Sequence, residues 1–233
     1  MIKFFRQIRF KLMSENNTSK YFKYAFGEIL LVVVGILIAL GINNWNEGKK
    51  SQKNESVLIK KLQEENIINL ESIEGDTEYR TEIPEILTEF NLFLANANLE
   101  EQNDSLQYYI SEIFRSTSYT FTQSNLINYV NVYNSEFSEL NKELATLQAF
   151  QNDLQSISEK GIDIKIENFF DALKNDVDFN SLEIVSYDTL SSLKFRNNII
   201  IIQSVESEIT YQYLRTIKQT RKVDSLISQR LNQ

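Results

Sequence analysis

The sequence predicts an all-α protein, in which an N-terminal transmembrane helix is followed by an extracytoplasmic antiparallel helical bundle. Three observations support this fold class. An apolar segment of 18 residues begins at Ala25 and contains one ionisable group. Beyond it, apolar residues recur at steps of three and four, which is the period of an amphipathic helix. The 233 residues include one Pro and six Gly, so few residues interrupt helices.

The apolar segment is interpreted as a transmembrane helix over residues 25–45. From Ala25 to Ile42 a helix spans roughly 27 Å, close to the thickness of the hydrocarbon layer. Aromatic residues precede the segment and Trp45 follows it, as expected at two membrane interfaces. A cleaved signal peptide is the alternative. The long N-terminal region and the long apolar run favour an uncleaved signal anchor instead.

Basic residues orient this span. Residues 1–24 contain six Lys and Arg and one acid, a net charge of +5, and apolar residues recur among them at helical spacing. We therefore expect residues 1–24 to be a cytoplasmic basic amphipathic segment. From Trp45 onward, 18 basic residues stand against 30 acidic ones, a net charge of −12. The predicted location is the bacterial inner membrane, with the remainder of the chain in the periplasm.

The N-terminal motifs resemble those of a known family. FRQIRFKLMSEN, followed by SKYFKYAFGEILLVVVGILIALGINNWNE, is similar to the opening of an uncharacterised family of bacterial inner-membrane proteins. The segment FRNNIIIIQSVESEITYQYLRTIKQT is similar to the closing helix of that family. The resemblance implies one N-terminal span and a helical extracytoplasmic region. It implies no activity and no catalytic residues.

The region after the span is divided into a stalk helix over residues 46–80 and an extracytoplasmic helical domain over residues 81–233. In the stalk, apolar residues at 59, 62, 70 and 73 form a narrow seam with Asn66 between them, and an Asn in a seam fixes helix register. Pro84 is expected to start or kink the next helix, and Asp104 to cap another. The aromatic and Thr-rich residues 116–122 are compatible with a short extended segment.

Apolar stripes predict the remaining helices. The clearest stripe runs from Phe137 to Ile157, and its helix is expected to end near Gly161. A shorter helix is expected around Ile166 to Leu173. The last stripe consists of Ile199, Ile202, Val205, Ile209, Tyr213, Ile217, Val223 and Ile227. Helices packed along such stripes form a bundle.

Composition excludes most catalytic chemistry. The chain has neither Cys nor His, so it lacks disulfides, thiol nucleophiles, His-based triads and the usual zinc ligands. No phosphate-binding glycine loop or nucleophile elbow is present. We therefore expect a protein that is not an enzyme and needs no cofactor or metal. The acidic region after the span also argues against a nucleic-acid partner.

Two acidic patterns are weak candidates for a metal-binding or catalytic site. Asp163, Glu167 and Asp171 lie at steps of four, which is typical of a solvated helix face. Asp176, Asp178 and Asn180 have the spacing that opens a calcium loop, but Ser181 and Tyr187 stand where that loop needs Gly and Glu. The sequence leaves open whether this turn binds calcium, and a helix-breaking acidic turn is the ordinary interpretation.

One face of the span is the candidate interaction site. Gly35 and Ala39 lie four residues apart and leave a groove where a second transmembrane helix can approach. Glu28 falls on the same side of the helix, where it either reaches the headgroups or hydrogen-bonds a partner helix. The predicted partners are the lipid bilayer and either another membrane protein or a second copy of the chain.

Two functions are compatible with these features. The first is a single-pass, membrane-anchored protein whose helical domain is a non-enzymatic interaction or assembly module. The alternative is an extracytoplasmic ligand-sensing module that signals through a partner membrane protein, because no second run of spanning length returns to the cytoplasm.

Overall fold

A computed structural model describes residues 18–133 and 139–232, together with Arg6 and Phe10. The predicted amphipathic segment over residues 1–24 lies largely outside the described residues, as does Phe137. Two compact units divide between Val57 and Leu58. Residues 58–74, which belong to the predicted stalk over residues 46–80, contribute buried side chains to the second unit.

Helix α1 spans Thr18–Glu74, and its residues 18–57 make up the described helix of the first unit. Among the residues that the structure describes, it is the one helix that is long and apolar enough, by length and composition, to cross a membrane. None of its most apolar window, of mean hydropathy 2.6, is buried. Large apolar side chains from Phe26 to Ile42 are exposed on all sides of the helix.

The second unit is almost entirely helical. After α1 come α2 (Thr77–Asn96), a 3₁₀ turn (Leu99–Glu101), α3 (Asn103–Phe114), α4 (Ser124–Val132) and α5 (Glu139–Lys165). A π turn (Ile166–Phe170), α6 (Asp171–Leu173), the strands β1 (Val177–Asp178) and β2 (Glu183–Ile184), and α7 (Leu193–Leu231) complete it. About 83% of the structure is helical, which confirms the all-α prediction.

Helix α7 forms the common wall of the core. It packs against α5 and α2, and its buried face contributes to three successive apolar clusters. The first cluster contains Phe195, Ile199 and Ile202 of α7, which pack with residues of α2, α3 and the two-stranded hairpin. The middle cluster contains Ile209, Tyr213 and Ile217, and the last contains Val223 and Ile227 with residues of α1, α4 and α5. The predicted C-terminal stripe is therefore confirmed as a core face.

Pro84 lies inside α2, which begins at Thr77 and not at the proline. Proline has no N–H, so the carbonyl of Arg80, four residues earlier, loses its helical donor. The Thr210 hydroxyl of α7 shares its proton between that carbonyl, at 2.7 Å, and the Glu206 carbonyl of its own helix, at 2.8 Å. The neighbouring helix thereby satisfies the acceptor that the proline leaves unpaired.

Two predicted helix ends are wrong. Asp104 does not cap α3, because the helix already begins at Asn103 and Asp104 lies in its first turn. Helix α5 does not end near Gly161 but continues to Lys165. Gly161 is buried against α7, and a Cβ built on it would lie 2.6 Å from Cδ1 of Ile209. The glycine permits close helix packing rather than terminating the helix.

We expect Gly161→Leu to lower the free energy of unfolding by about 1–3 kcal/mol, because the side chain overpacks the contact with Ile209. Thermal and urea unfolding of the full chain measure the change. Ala149→Leu, at an exposed position of the same helix, is the control and should be close to neutral. Adding Ile209→Ala to the Gly161→Leu variant should restore part of the lost free energy of unfolding. An unchanged melting temperature in Gly161→Leu would contradict the close-packing role.

Candidate functional site

The candidate face of the span lies on one continuous helix. Glu28 is half-buried, whereas Gly35 and Ala39 are exposed, and a Cβ on Gly35 would meet nothing within 4 Å. At about 100° per residue, Gly35 and Ala39 each lie within about 20° of the direction of Glu28. Their role in helix packing stays a prediction, but the helical spacing on which it depends is present.

Polar contacts mark the C-terminal end of the apolar segment. Asn43 Nδ2 donates to Glu47 Oε1 at 2.9 Å, and Lys49 Nζ lies 4.0 Å from the centroid of the Trp45 ring. Both pairs are four residues apart on the helix. A ring with an apolar body beside a cation is the arrangement found where a helix leaves the hydrocarbon layer.

Three charged side chains meet inside the second unit. Glu206 of α7 accepts from Arg80 Nη1 of α2 at 2.5 Å and from Lys165 Nζ of α5 at 2.7 Å. Each of the three residues is at most 2% exposed. Lys165 Nζ also donates to the Tyr79 hydroxyl at 3.1 Å and to the Arg115 carbonyl at 2.7 Å. This charge cluster joins three helices and the segment after α3.

Burial determines the protonation of the cluster. Desolvation lowers the pKa of Lys165, and the Glu206 carboxylate opposes that shift. Desolvation raises the pKa of Tyr79, and the Glu206 charge raises it further. Tyr79 therefore stays a neutral donor, and its hydroxyl donates to the Arg115 carbonyl at 2.6 Å. Enclosed in this way, the cluster is suited to fixing the packing of helices rather than to contacting a substrate.

Sequence reasoning missed this cluster. Glu206 lies between Ile202 and Ile209 on the buried stripe of α7, and this position in the sequence indicates a buried charge. Lys165 likewise follows Gly161 by four residues on the buried side of α5. A charged residue on an apolar stripe requires a partner of opposite charge, and that requirement would have marked both residues.

Glu65 of α1 organises the start of α4. Its carboxylate accepts from the backbone N–H groups of Asn125 and Leu126 at 2.8 and 3.0 Å, and from the side chains of Ser124 and Asn125. Gln123, at the N-cap position, makes no capping hydrogen bond with its side chain. A buried carboxylate from a distant helix therefore replaces the local cap and complements the helix dipole.

Two asparagines of α1 continue this polar seam. Asn66 Nδ2 donates to the Thr220 carbonyl of α7 at 3.1 Å, in agreement with a register-fixing role. Asn69 Nδ2 donates to the Thr122 carbonyl, and Asn69 Oδ1 accepts from the Thr122 N–H. This pair of bonds satisfies both backbone groups of Thr122, which lies in the irregular segment 115–123, where no strand forms.

The acidic patterns have structural partners. Asp176 Oδ2 accepts from the Thr189 N–H at 2.8 Å, and Asp178 Oδ1 accepts from the Asn180 N–H at 2.9 Å. Both carboxylates thus order the turn around the two-stranded hairpin. The π turn interrupts the row formed by Asp163, Glu167 and Asp171, all of which are exposed. Within the described residues, no group of three or more acidic side chains is placed to hold a metal ion.

Comparison with known families finds a model that matches part of the chain. Residues 28–142 match the family DUF6090, which is described as a family of unknown function. The matched region begins at Glu28 and extends into α5. This similarity is consistent with the resemblance to an uncharacterised family. No curated protein and no solved structure match the chain.

We expect Glu65→Ala to lower the free energy of unfolding by about 1–3 kcal/mol, because several donors at the start of α4 lose their acceptor. In this variant, amide hydrogen exchange should be accelerated more in α4 than in α7. Glu64→Ala, an exposed position next to it, is the control. Equal exchange rates in the two variants would show that the start of α4 does not need the Glu65 carboxylate.

Alkaline pH should unfold the second unit. Burial raises the pKa of Tyr79 and Tyr119 above the ordinary value of 10.0, so the unfolded chain releases these protons at lower pH than the folded protein. The unfolded state then binds fewer protons, and stability falls as the pH rises above 10. Lys165, with its lowered pKa, acts in the opposite direction, but as one group against two.

Tyrosinate absorbance and circular dichroism, recorded on the same samples, test this expectation. Part of the tyrosine titration should coincide with the loss of helix. Tyr79→Phe should remove absorbance from that step, whereas Tyr211→Phe, at an exposed position, should leave it unchanged. A complete tyrosine titration with the helices intact would contradict the assignment.

Proposed function

We propose that the chain is a single-pass protein of the bacterial inner membrane, and that its helical domain is a non-enzymatic interaction or assembly module. One observation carries the proposal. The apolar window of α1 has no buried part, so none of the residues that the structure describes shields it from water. Such a surface on all sides of a helix is stable in lipid and unstable in water.

The orientation follows from charge. The six basic residues before the span favour a cytoplasmic N-terminus and a periplasmic domain. The Trp45 and Lys49 pair supports an interface near the other end of the span.

The interior of the domain supports an interaction role over a catalytic one. The charged residues Arg80, Lys165 and Glu206 are enclosed and bonded to one another. Glu65 is likewise occupied by α4. These groups hold the fold together, and a partner would be recognised by the surface. The ligand-sensing alternative would use the open cavity of about 460 Å³ that Asp188 and Lys194 help to line, and it stays a prediction.

The span itself offers the first contact surface. Glu28, Gly35 and Ala39 share one side of α1, so that side combines a groove with an acid. Gly41 follows Gly35 by six residues and lies about 120° away from it around the helix axis, on another side of the helix. The two glycines therefore allow the same substitution to be compared on the proposed face and off it.

We expect Gly35→Leu or Ala39→Leu to abolish copurification of a partner or of a differently tagged second copy from membranes. Glu28→Gln should weaken association by less, on the order of 1 kcal/mol. Gly41→Leu is the matched control and should bind as the wild type does. Association at the wild-type level in all the variants would show that this face contacts lipid alone.

A further inference from the structure

A short basic segment follows the apolar part of helix α1. Between Trp45 and Lys53 stand three lysines, Lys49, Lys50 and Lys53, against one acid, Glu47. This balance is the reverse of that in the whole region from Trp45 onward, where 18 basic residues stand against 30 acidic ones. All of these side chains between residues 45 and 53 are exposed. Residues 45–53 therefore form a basic segment at the edge of an acidic region.

The lysines of the basic segment occupy one half of the helix circumference. At about 100° per residue, Trp45, Lys49 and Lys53 are separated by steps of about 40°, and Lys50 lies about 140° from Trp45. Glu47 lies about 160° from Trp45 in the other sense, and its carboxylate accepts from a side-chain amide one turn earlier at 2.9 Å. Within the part of the chain that the structure describes, no ion pair engages the three lysines.

The helix places these ammonium groups near the end of the apolar segment. Side chains of an α-helix lean toward its N-terminus, which here is the direction of the apolar segment. Lys49 shows this lean directly, because its Nζ lies 4.0 Å from the centroid of the Trp45 ring, one turn earlier. Trp45 follows Ile42 by roughly 4.5 Å along the axis, and the polar layer on each side of the hydrocarbon core is roughly 5–8 Å thick. The Lys49 ammonium therefore reaches the depth of the headgroups when the apolar segment fills the core.

We propose that the basic segment binds the headgroups of anionic phospholipids. Lys49 and Lys50 contact the phosphate oxygens, and Lys53, one turn further, lies in the field of the charged surface. That field extends over a Debye length, about 8 Å at physiological ionic strength, and one helical turn is about 5.4 Å. Three ammonium groups on one side of a helix complement a negatively charged lipid surface. Their compact charges on flexible stems suit phosphates that move within the bilayer.

This inference rests on the proposed membrane location and names a lipid partner for the segment that follows the span. It goes beyond that location, because any bilayer accepts an apolar helix, whereas lysines distinguish anionic lipids from zwitterionic ones. Trp45 is the single tryptophan of the chain, so its fluorescence reports on the lipids beside the basic segment without a label.

The experiment uses the full-length chain in vesicles of phosphatidylcholine that contain a small fraction of a lipid with brominated acyl chains. Bromine quenches tryptophan fluorescence at short range, so the quenching measures how often the brominated lipid lies next to Trp45. The brominated lipid is phosphatidylglycerol in one sample and phosphatidylcholine in the other. We expect a preference for phosphatidylglycerol of roughly fivefold at low salt, which disappears in about 1 M NaCl, where the Debye length is about 3 Å.

Charge-removing variants assign the preference to the basic segment. Replacing its three lysines together, as Lys49→Gln, Lys50→Gln and Lys53→Gln, should make the two brominated lipids quench equally. The matched control removes three charges from exposed lysines of the second unit: Lys142→Gln, Lys160→Gln and Lys218→Gln. This control should keep the wild-type preference. Circular dichroism of both variants should show the wild-type helix content.

The outcomes separate this inference from the proposed function. Equal quenching of wild-type Trp45 by the two brominated lipids would overturn the lipid preference and leave the membrane anchor standing. A preference that persists in the variant without the three lysines would also overturn the inference, as would its loss in the control variant, which would assign it to overall charge. Absence of quenching by either lipid would reject the anchor, and the inference with it.

Discussion

The Glu206 carboxylate is the interaction on which the helical domain depends. It is the shared anion of two buried cations, Arg80 and Lys165, which come from different helices. Removing water from three charges costs several kcal/mol per ion, and their attraction offsets this only when the geometry is closed by further hydrogen bonds. Tyr79 and the Arg115 carbonyl supply that closure by accepting from Lys165. An alternative packing of α2, α5 and α7 that separated these residues inside the protein would leave a buried charge unpaired, so the cluster favours the observed arrangement.

The course of α5 follows from the same constraint. Gly161, Lys165, Phe169 and Leu173 are all buried and lie at steps of four. An α-helix would rotate such a row by about 40° at each step, so its last members would leave the core. The π turn at Ile166–Phe170 has more residues per turn and keeps the row on one side. Gly161 brings α5 close to Ile209, Lys165 reaches Glu206, and Phe169 then enters the cluster around Phe195.

Periodicity made the larger features predictable. The apolar window of α1 and the stripes of α5 and α7 are regular repeats within one segment, and a local repeat is visible in the sequence. The polar interior was not predictable in the same way. Arg80 and Glu206 are 126 residues apart, so the position of Glu206 on the buried stripe indicates that it needs a partner but not which residue supplies the opposite charge. Gly161 was misread because a glycine near the end of a stripe has the same local appearance whether it ends a helix or admits a neighbour. The Glu65 contact with α4 was not predicted either, because the groups that donate to its carboxylate lie about 60 residues away in the sequence.

Two exposed apolar surfaces in the described part of the chain differ in shape. Between residues 25 and 42, α1 exposes apolar side chains around its whole circumference. A helix that is apolar on every side needs a solvent that contacts every side, which is the property of lipid. On α7 the exposed apolar residues occupy one stripe, and the opposite side is already packed in the core. Lipid would contact the flanking Lys194, Glu208 and Arg215 as well, and charges are costly there. The shape of the α1 surface therefore fits the proposed membrane anchor, whereas the charges beside the exposed apolar residues of α7 do not suit lipid.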